Sequence, residues 1–171
     1  IKWRNSRWWR GGWRRIATTY FPFVSRNGDR LVLYDAFRRL FSSYFTNGVF
    51  VDDSSSDHLR VEKAQGLTLT VKAGRANING AFYWQKDDET IILEKNSATK
   101  SYNIILRLND NDAYRNITLI ASDINNGITR SDSIYDLVLA TVTVTGNSNE
   151  VKGSDITDTR LDSTRCGAVT S

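Results

Sequence analysis

From Leu67 onward, apolar and polar residues alternate with a period of two. Leu67, Leu69 and Val71 stand against Thr68, Thr70 and Lys72. That period predicts a strand with one buried and one wet face. Gly74 interrupts the pattern, Ala76 and Ile78 resume it, and Asn79-Gly80 follows. Both turn residues tolerate positive φ, so an Asn-Gly pair between two apolar runs predicts a tight hairpin with Gly80 as a structural position. Ala81, Phe82, Tyr83 and Trp84 then read as the return strand. Further strands are expected at Val49 to Val51, around Leu59 and Val61, at Thr90 to Leu93, and at Tyr102 to Leu108 paired with Asn116 to Ala121. Tyr135 to Val144 is almost continuously apolar and β-branched, which predicts a central strand buried on both faces.

One stretch has a different period. Phe37, Leu40, Phe41, Tyr44 and Phe45 form a single stripe at helical spacing, which predicts a helix over about residues 36–45. Asp35 is the expected N-cap, and Asn47-Gly48 the expected stop. An aromatic stripe of this kind is expected to bury itself, making Phe37 and Phe41 helix-to-core anchors. The predicted fold is therefore mainly β: an antiparallel β-sandwich with one principal α-helix near residues 36–45.

Composition changes this picture at one end only. The net charge is +4, yet six of the 23 Lys and Arg residues fall within residues 1–15, which hold no acid. The body is thus close to neutral, and the chain divides on sequence into a basic arm, 1–17, and a single β domain, 18–171. The arm also holds Trp3, Trp8, Trp9 and Trp13, four of the five tryptophans, interleaved with Arg10 and Arg14. Interleaved Trp and Arg suit a membrane interface or single-stranded nucleic acid. Gly11-Gly12 and irregular spacing fit neither template, however, and the arm is read as docking on a neighbouring subunit, a disordered end or a sequence artefact. In the docking reading, the tryptophans anchor and the arginines meet acidic surface. No nucleic-acid partner and no membrane span is expected, since no apolar run approaches about 18 residues. With no Met at position 1, Ile1 is expected not to be the translational start.

Chemistry-bearing motifs are not found. A phosphate loop, a nucleophile elbow and a dinucleotide fingerprint are missing. His58 is the sole histidine and Cys166 the sole cysteine, so neither a zinc set nor a disulfide framework is expected. Asp52, Asp53, Asp87, Asp88, Asp110 and Asp112 lie in predicted turns, where Asp is common for conformational reasons. The sequence is read as non-enzymatic, with no metal and no cofactor.

Several segments, taken in order, resemble the N-terminal domains of baseplate and receptor-binding proteins of tailed phages that infect Gram-positive bacteria. They are Asn27-Gly28-Asp29-Arg30 with Tyr34-Asp35-Ala36, Asn47-Gly48-Val49-Phe50, and Val71 to Ala76 with Ile78-Asn79-Gly80. They continue with Ile105-Leu106-Arg107-Leu108, Ile134-Tyr135-Asp136-Leu137, and Ile156 to Leu161 closing on Cys166-Gly167. The resemblance implies a virion structural protein that anchors a receptor-binding fibre to the tail tip or baseplate, usually as a homotrimer beside other tail proteins. It also implies that host cell-wall carbohydrate is recognised by regions beyond this chain. Asp158 and Arg160, in the closing segment, are expected to be structural, pairing with each other or tying down backbone carbonyls.

A second reading is a lectin-like β-sandwich that itself binds cell-wall saccharide. Tyr83 and Trp84 would form its platform. Neighbours on a strand face opposite sides, so only one of the two can serve.

Overall fold

The computed structural model describes residues 34–51, 56–111 and 115–170. The chain divides into two units, Ile1–Ala36 and Phe37–Ser171, and the strands among the described residues lie in the second. The arm and its expected boundary at residue 17 lie outside the described residues, as do Asp112 and the side chain of Asp35.

The described chain is mainly β, with one α-helix and three antiparallel sheets. Helix α1 (Tyr34–Tyr44) comes first. It is followed by β1 (Gly48–Val49), β2 (Val61–Lys63), β3 (Thr68–Val71), β4 (Gly74–Ile78), β5 (Ala81–Gln85) and β6 (Glu89–Ile92). Then come β7 (Lys100–Asn109), β8 (Asn116–Asp123), β9 (Ile134–Val144) and β10 (Ile156–Asp158). The sheets are ordered β1-β4-β5, β2-β3-β6 and β10-β9-β7-β8. Their inner faces meet in one core, to which Val49, Ala76 and Ile78 come from the first sheet, Val61, Leu69 and Val71 from the second, and Leu106, Leu137 and Val142 from the third. The three sheets thus bury one core between them, in the manner of a β-sandwich.

The period-two stretch forms strands as expected, with Leu69, Val71, Ala76 and Ile78 all facing the core. It does not stay in one sheet. Between Val71 and Gly74 the chain leaves the second sheet for the first. The carbonyls of Val71 and Lys72 at this crossing accept from Nε2 of buried Gln85, at 2.9 and 3.2 Å. The hairpin is tight, with Asn79 and Gly80 both at positive φ (48° and 75°). Strand β9 lies between β7 and β10, and Asp136 to Ala140 are buried. Its pairing with β7 slips at Ile104 and Ile105, a bulge that turns backbone groups out of the ladder. The freed Leu139 carbonyl accepts from the Thr159 N–H at 3.0 Å.

The helix forms where its period predicts but docks differently. Phe37 is 44% exposed and Phe41 45%, and neither belongs to the core. The stripe is therefore not the anchor expected of it. The contact runs through Arg38, whose Nε donates to the Asn79 carbonyl at 3.2 Å and whose guanidinium pairs with Asp110. The physical reason is at Gly80. With no side chain, Gly80 lets the helix backbone at Arg38 come so close that any Cβ would overlap the Arg38 carbonyl. The end of the sandwich thus offers the helix a bare turn, not an apolar pocket.

Asn47-Gly48 does not close the helix either. Asn47 Oδ1 accepts from the Asn79 N–H at 2.6 Å and its Nδ2 donates to Asn79 Oδ1 at 2.9 Å. Gly48 opens β1, packed directly on the Gly167 carbonyl.

Two substitutions separate these contacts. Gly80→Ala meets both positive φ and the Arg38 backbone, and should cost more than about 2 kcal/mol. Gly127→Ala also has positive φ but open space around it, and should cost about 1 kcal/mol. Denaturant midpoints followed by circular dichroism check the difference. Phe41→Ala should cost about 1 kcal/mol or less, against about 3–5 for a buried phenylalanine. A loss in the larger range would place its ring in the core.

Candidate functional site

Asp158 and Arg160 come together at the end of β10. Arg160 is 1% exposed, and its Nη2 donates to Asp158 Oδ2 at 2.7 Å, with Nε within 3.0 and 3.1 Å of both carboxylate oxygens. Nη1 donates to the carbonyls of Ser56 and His58, each at 2.7 Å. The two roles expected as alternatives are thus both present: one guanidinium holds the carboxylate and ties down a loop a hundred positions earlier in the chain. Burial alone would raise the Asp158 carboxyl, but the hydrogen bonds and charge of Arg160 outweigh it and hold the group below its ordinary value of 3.8.

A second clamp lies on the other face of the four-stranded sheet, at residues outside the expected site. Arg107 Nε and Nη2 grip both oxygens of fully buried Asp136, at 2.7 and 2.8 Å. The Thr129 N–H donates to the same carboxylate at 2.8 Å. Arg107 and Asp136 are directly opposed in the register of β7 and β9. An Arg and an Asp in two predicted strands is the signal the sequence holds, and the pairing of those two strands comes from the structure. Beside them, Arg165 Nη2 donates to Asn103 Oδ1 at 2.7 Å, while its buried Nε has no acceptor.

Between β2 and β10 lies an open cleft of about 390 Å³, lined by Arg60, Glu62, Lys63 and Asp158 with Val61 and Ile156. Its two carboxylates are both held by arginines, Glu62 by Arg60 at 2.6 Å and Asp158 by Arg160. Among the described residues, no group of three or more His, Cys, Asp and Glu side chains can hold a metal. Cys166 is buried, and burial pushes its thiol up to about 12, far from the range of a reactive thiolate. Nor, among those residues, is any helix long and apolar enough to cross a membrane.

The expected saccharide platform splits as strand geometry requires. Tyr83 faces inward against the core and donates to Gln85 Oε1 at 3.0 Å, and burial pushes its hydroxyl up to about 12. Trp84 faces out, 61% exposed, beside Phe82 at 59%. Phe82 was not singled out by sequence reading, although the same alternation puts it on Trp84's side. The outer face continues across the sheet, with the Phe82 ring edge-on to Phe50 at 6.0 Å and Phe50 to Phe45 at 6.4 Å. Arg75 lies over Phe50 and Lys86 over Trp84, at 5.8 and 5.1 Å from the ring centres. Trp3, Trp8, Trp9, Trp13, Arg10 and Arg14 lie outside the described residues.

Compared with protein-family models and with curated proteins, the chain matches none.

The Asp158 clamp predicts an acid dependence. A carboxyl lowered by folding contributes stability that is fully present above the ordinary value of 3.8 and is lost as pH falls through its folded value. Asp158→Asn should therefore destabilise at neutral pH, by less than the roughly 3–5 kcal/mol of a fully buried pair because the carboxylate is part-exposed. The gap from the parent should close as pH falls below about 4. Parallel denaturation series at neutral and acid pH check this, and a gap independent of pH would assign the loss to packing.

Proposed function

We propose that this chain is a virion structural module that anchors a receptor-binding fibre at the tail tip or baseplate of a phage, as a homotrimer among other tail proteins. The observation that supports it best is where the segments resembling such anchoring domains lie in the fold. Far apart in sequence, several of those within the described residues hold one another. Asn47 binds Asn79, and the Val49 N–H donates to the Gly167 carbonyl at 2.9 Å. Arg107 grips Asp136, and Arg160 closes on the carbonyls of Ser56 and His58. The side chains of Asn47, Asn79, Arg107, Asp136 and Arg160 are thus spent on holding the unit together, as suits a scaffold.

The saccharide-binding alternative rests on Trp84 and its exposed face. A sugar platform needs a flat ring flanked by neutral hydrogen-bonding side chains with spare capacity. The nearest ones are committed: Asn77 Nδ2 donates to the carbonyls of Phe45 and Thr46, at 3.4 and 3.0 Å, and Gln85 binds inward. The anchoring reading is therefore preferred.

Antibodies raised against the chain should label the distal tail of particles produced from the genome that encodes it, and the purified chain should sediment as a trimer. Particles that carry no label, with glycan retention by the isolated chain, would replace anchoring with saccharide binding.

A further inference from the structure

Strand β5 is the outer strand of its sheet, paired with β4 alone. Its hairpin has a two-residue loop, so the flanking pair Ile78 and Ala81 exchanges both backbone bonds, and alternate positions follow suit. Ala81, Tyr83 and Gln85 therefore direct their backbone groups to β4. Phe82 and Trp84 direct theirs to the open edge, where nothing among the described residues pairs with them. The same two residues carry the most exposed aromatic side chains of the sheet.

Proteins normally blunt such an edge with charge or proline. Edge strand β2 ends in Glu62-Lys63, and edge strand β6 begins at Glu89. Strand β5 reads Ala-Phe-Tyr-Trp-Gln, with no charge and no proline. It is a five-residue template of high β propensity, with an aromatic face and a free ladder. At its end stands Lys86, which lies over Trp84 and makes no ion pair among the described residues.

We propose that the open edge of β5 binds an extended strand of a partner protein, which carries apolar side chains over Phe82 and Trp84 and a carboxylate toward Lys86. Backbone hydrogen bonds to Phe82 and Trp84 give the affinity, the aromatic face selects apolar residues at alternate positions, and Lys86 selects an acid at the strand's end. The proposal rests on the anchoring reading only in taking the partner to be protein. The committed neutral side chains and the edge-on packing of Phe45, Phe50 and Phe82 weigh against a flat sugar.

The test is a calorimetric titration of the full chain with a short synthetic peptide that alternates valine and threonine and ends in glutamate. Binding is expected, about tenfold weaker when the ends are lysine. Trp84→Pro removes an edge-facing N–H without touching the β4 ladder, and should weaken binding by at least about tenfold. A peptide N-methylated at alternate amides tests the edge with the protein unaltered, and should not bind. Absence of binding by the parent peptide, or equal binding by the N-methylated one, overturns the proposal. Self-association of the chain that Trp84→Pro abolishes overturns it too, because the edge then pairs with its own copy, and saccharide retention through Trp84 does the same. Tail labelling by antibody is read independently of these titrations, so failure of the edge and failure of the anchoring reading are distinguishable.

Discussion

A guanidinium taken out of water needs an acceptor for each of its donors, and the architecture of this domain is arranged around meeting that need at Arg160. The carboxylate it holds lies two residues away, on the last strand. The two carbonyls it holds belong to Ser56 and His58, just before β2. Strands β2 and β10 belong to different sheets, so one side chain fixes the second sheet against the edge of the four-stranded one. Burying an unpaired guanidinium would cost several kcal/mol, roughly the margin on which a domain folds. The closure thus forms as a unit or not at all. Arg107 and Asp136 repeat the arrangement on the other face of the four-stranded sheet, with the carboxylate now the fully buried partner.

Much of the fold was legible because it is written locally. The strands from Leu67 to Gln85, the hairpin at Asn79-Gly80 and the buried central strand at Ile134–Val144 follow from period, turn chemistry and β-branched runs, all of which act over a few residues. What was not legible depends on residues far apart. Nothing between Val71 and Gly74 announces a change of sheet, since both strands keep the same inward face. The bulge at Ile104 and Ile105 depends on Thr159 and Arg165, which take up the backbone groups it frees. The aromatic stripe of the helix was read correctly as helical and wrongly as core. Periodicity reports which residues share a side and does not say what waits opposite, here a glycine turn that admits backbone.

The candidate sites divide in the same way. Asp158 and Arg160 stand two apart in the closing segment, close enough for the pairing to be read from sequence, although the strand ends at Asp158 and Arg160 lies in the turn beyond it. Alternation showed that Tyr83 and Trp84 face apart. It did not show which one faces out, because that depends on the pairing of β5 with β4 and on the direction of the core.

The position of Trp84 has a spectroscopic consequence. It is the only tryptophan after residue 13, so the indole signal of the β domain comes from a single ring. That ring is mostly in water in the folded state, beneath the ammonium group of Lys86. Its emission should already be close to that of an unfolded chain, and a domain lacking the first residues would show little change in fluorescence on melting. The same ring should shift toward the blue when something dry is laid against β5, making the domain nearly silent about its own folding and responsive to whatever covers its edge.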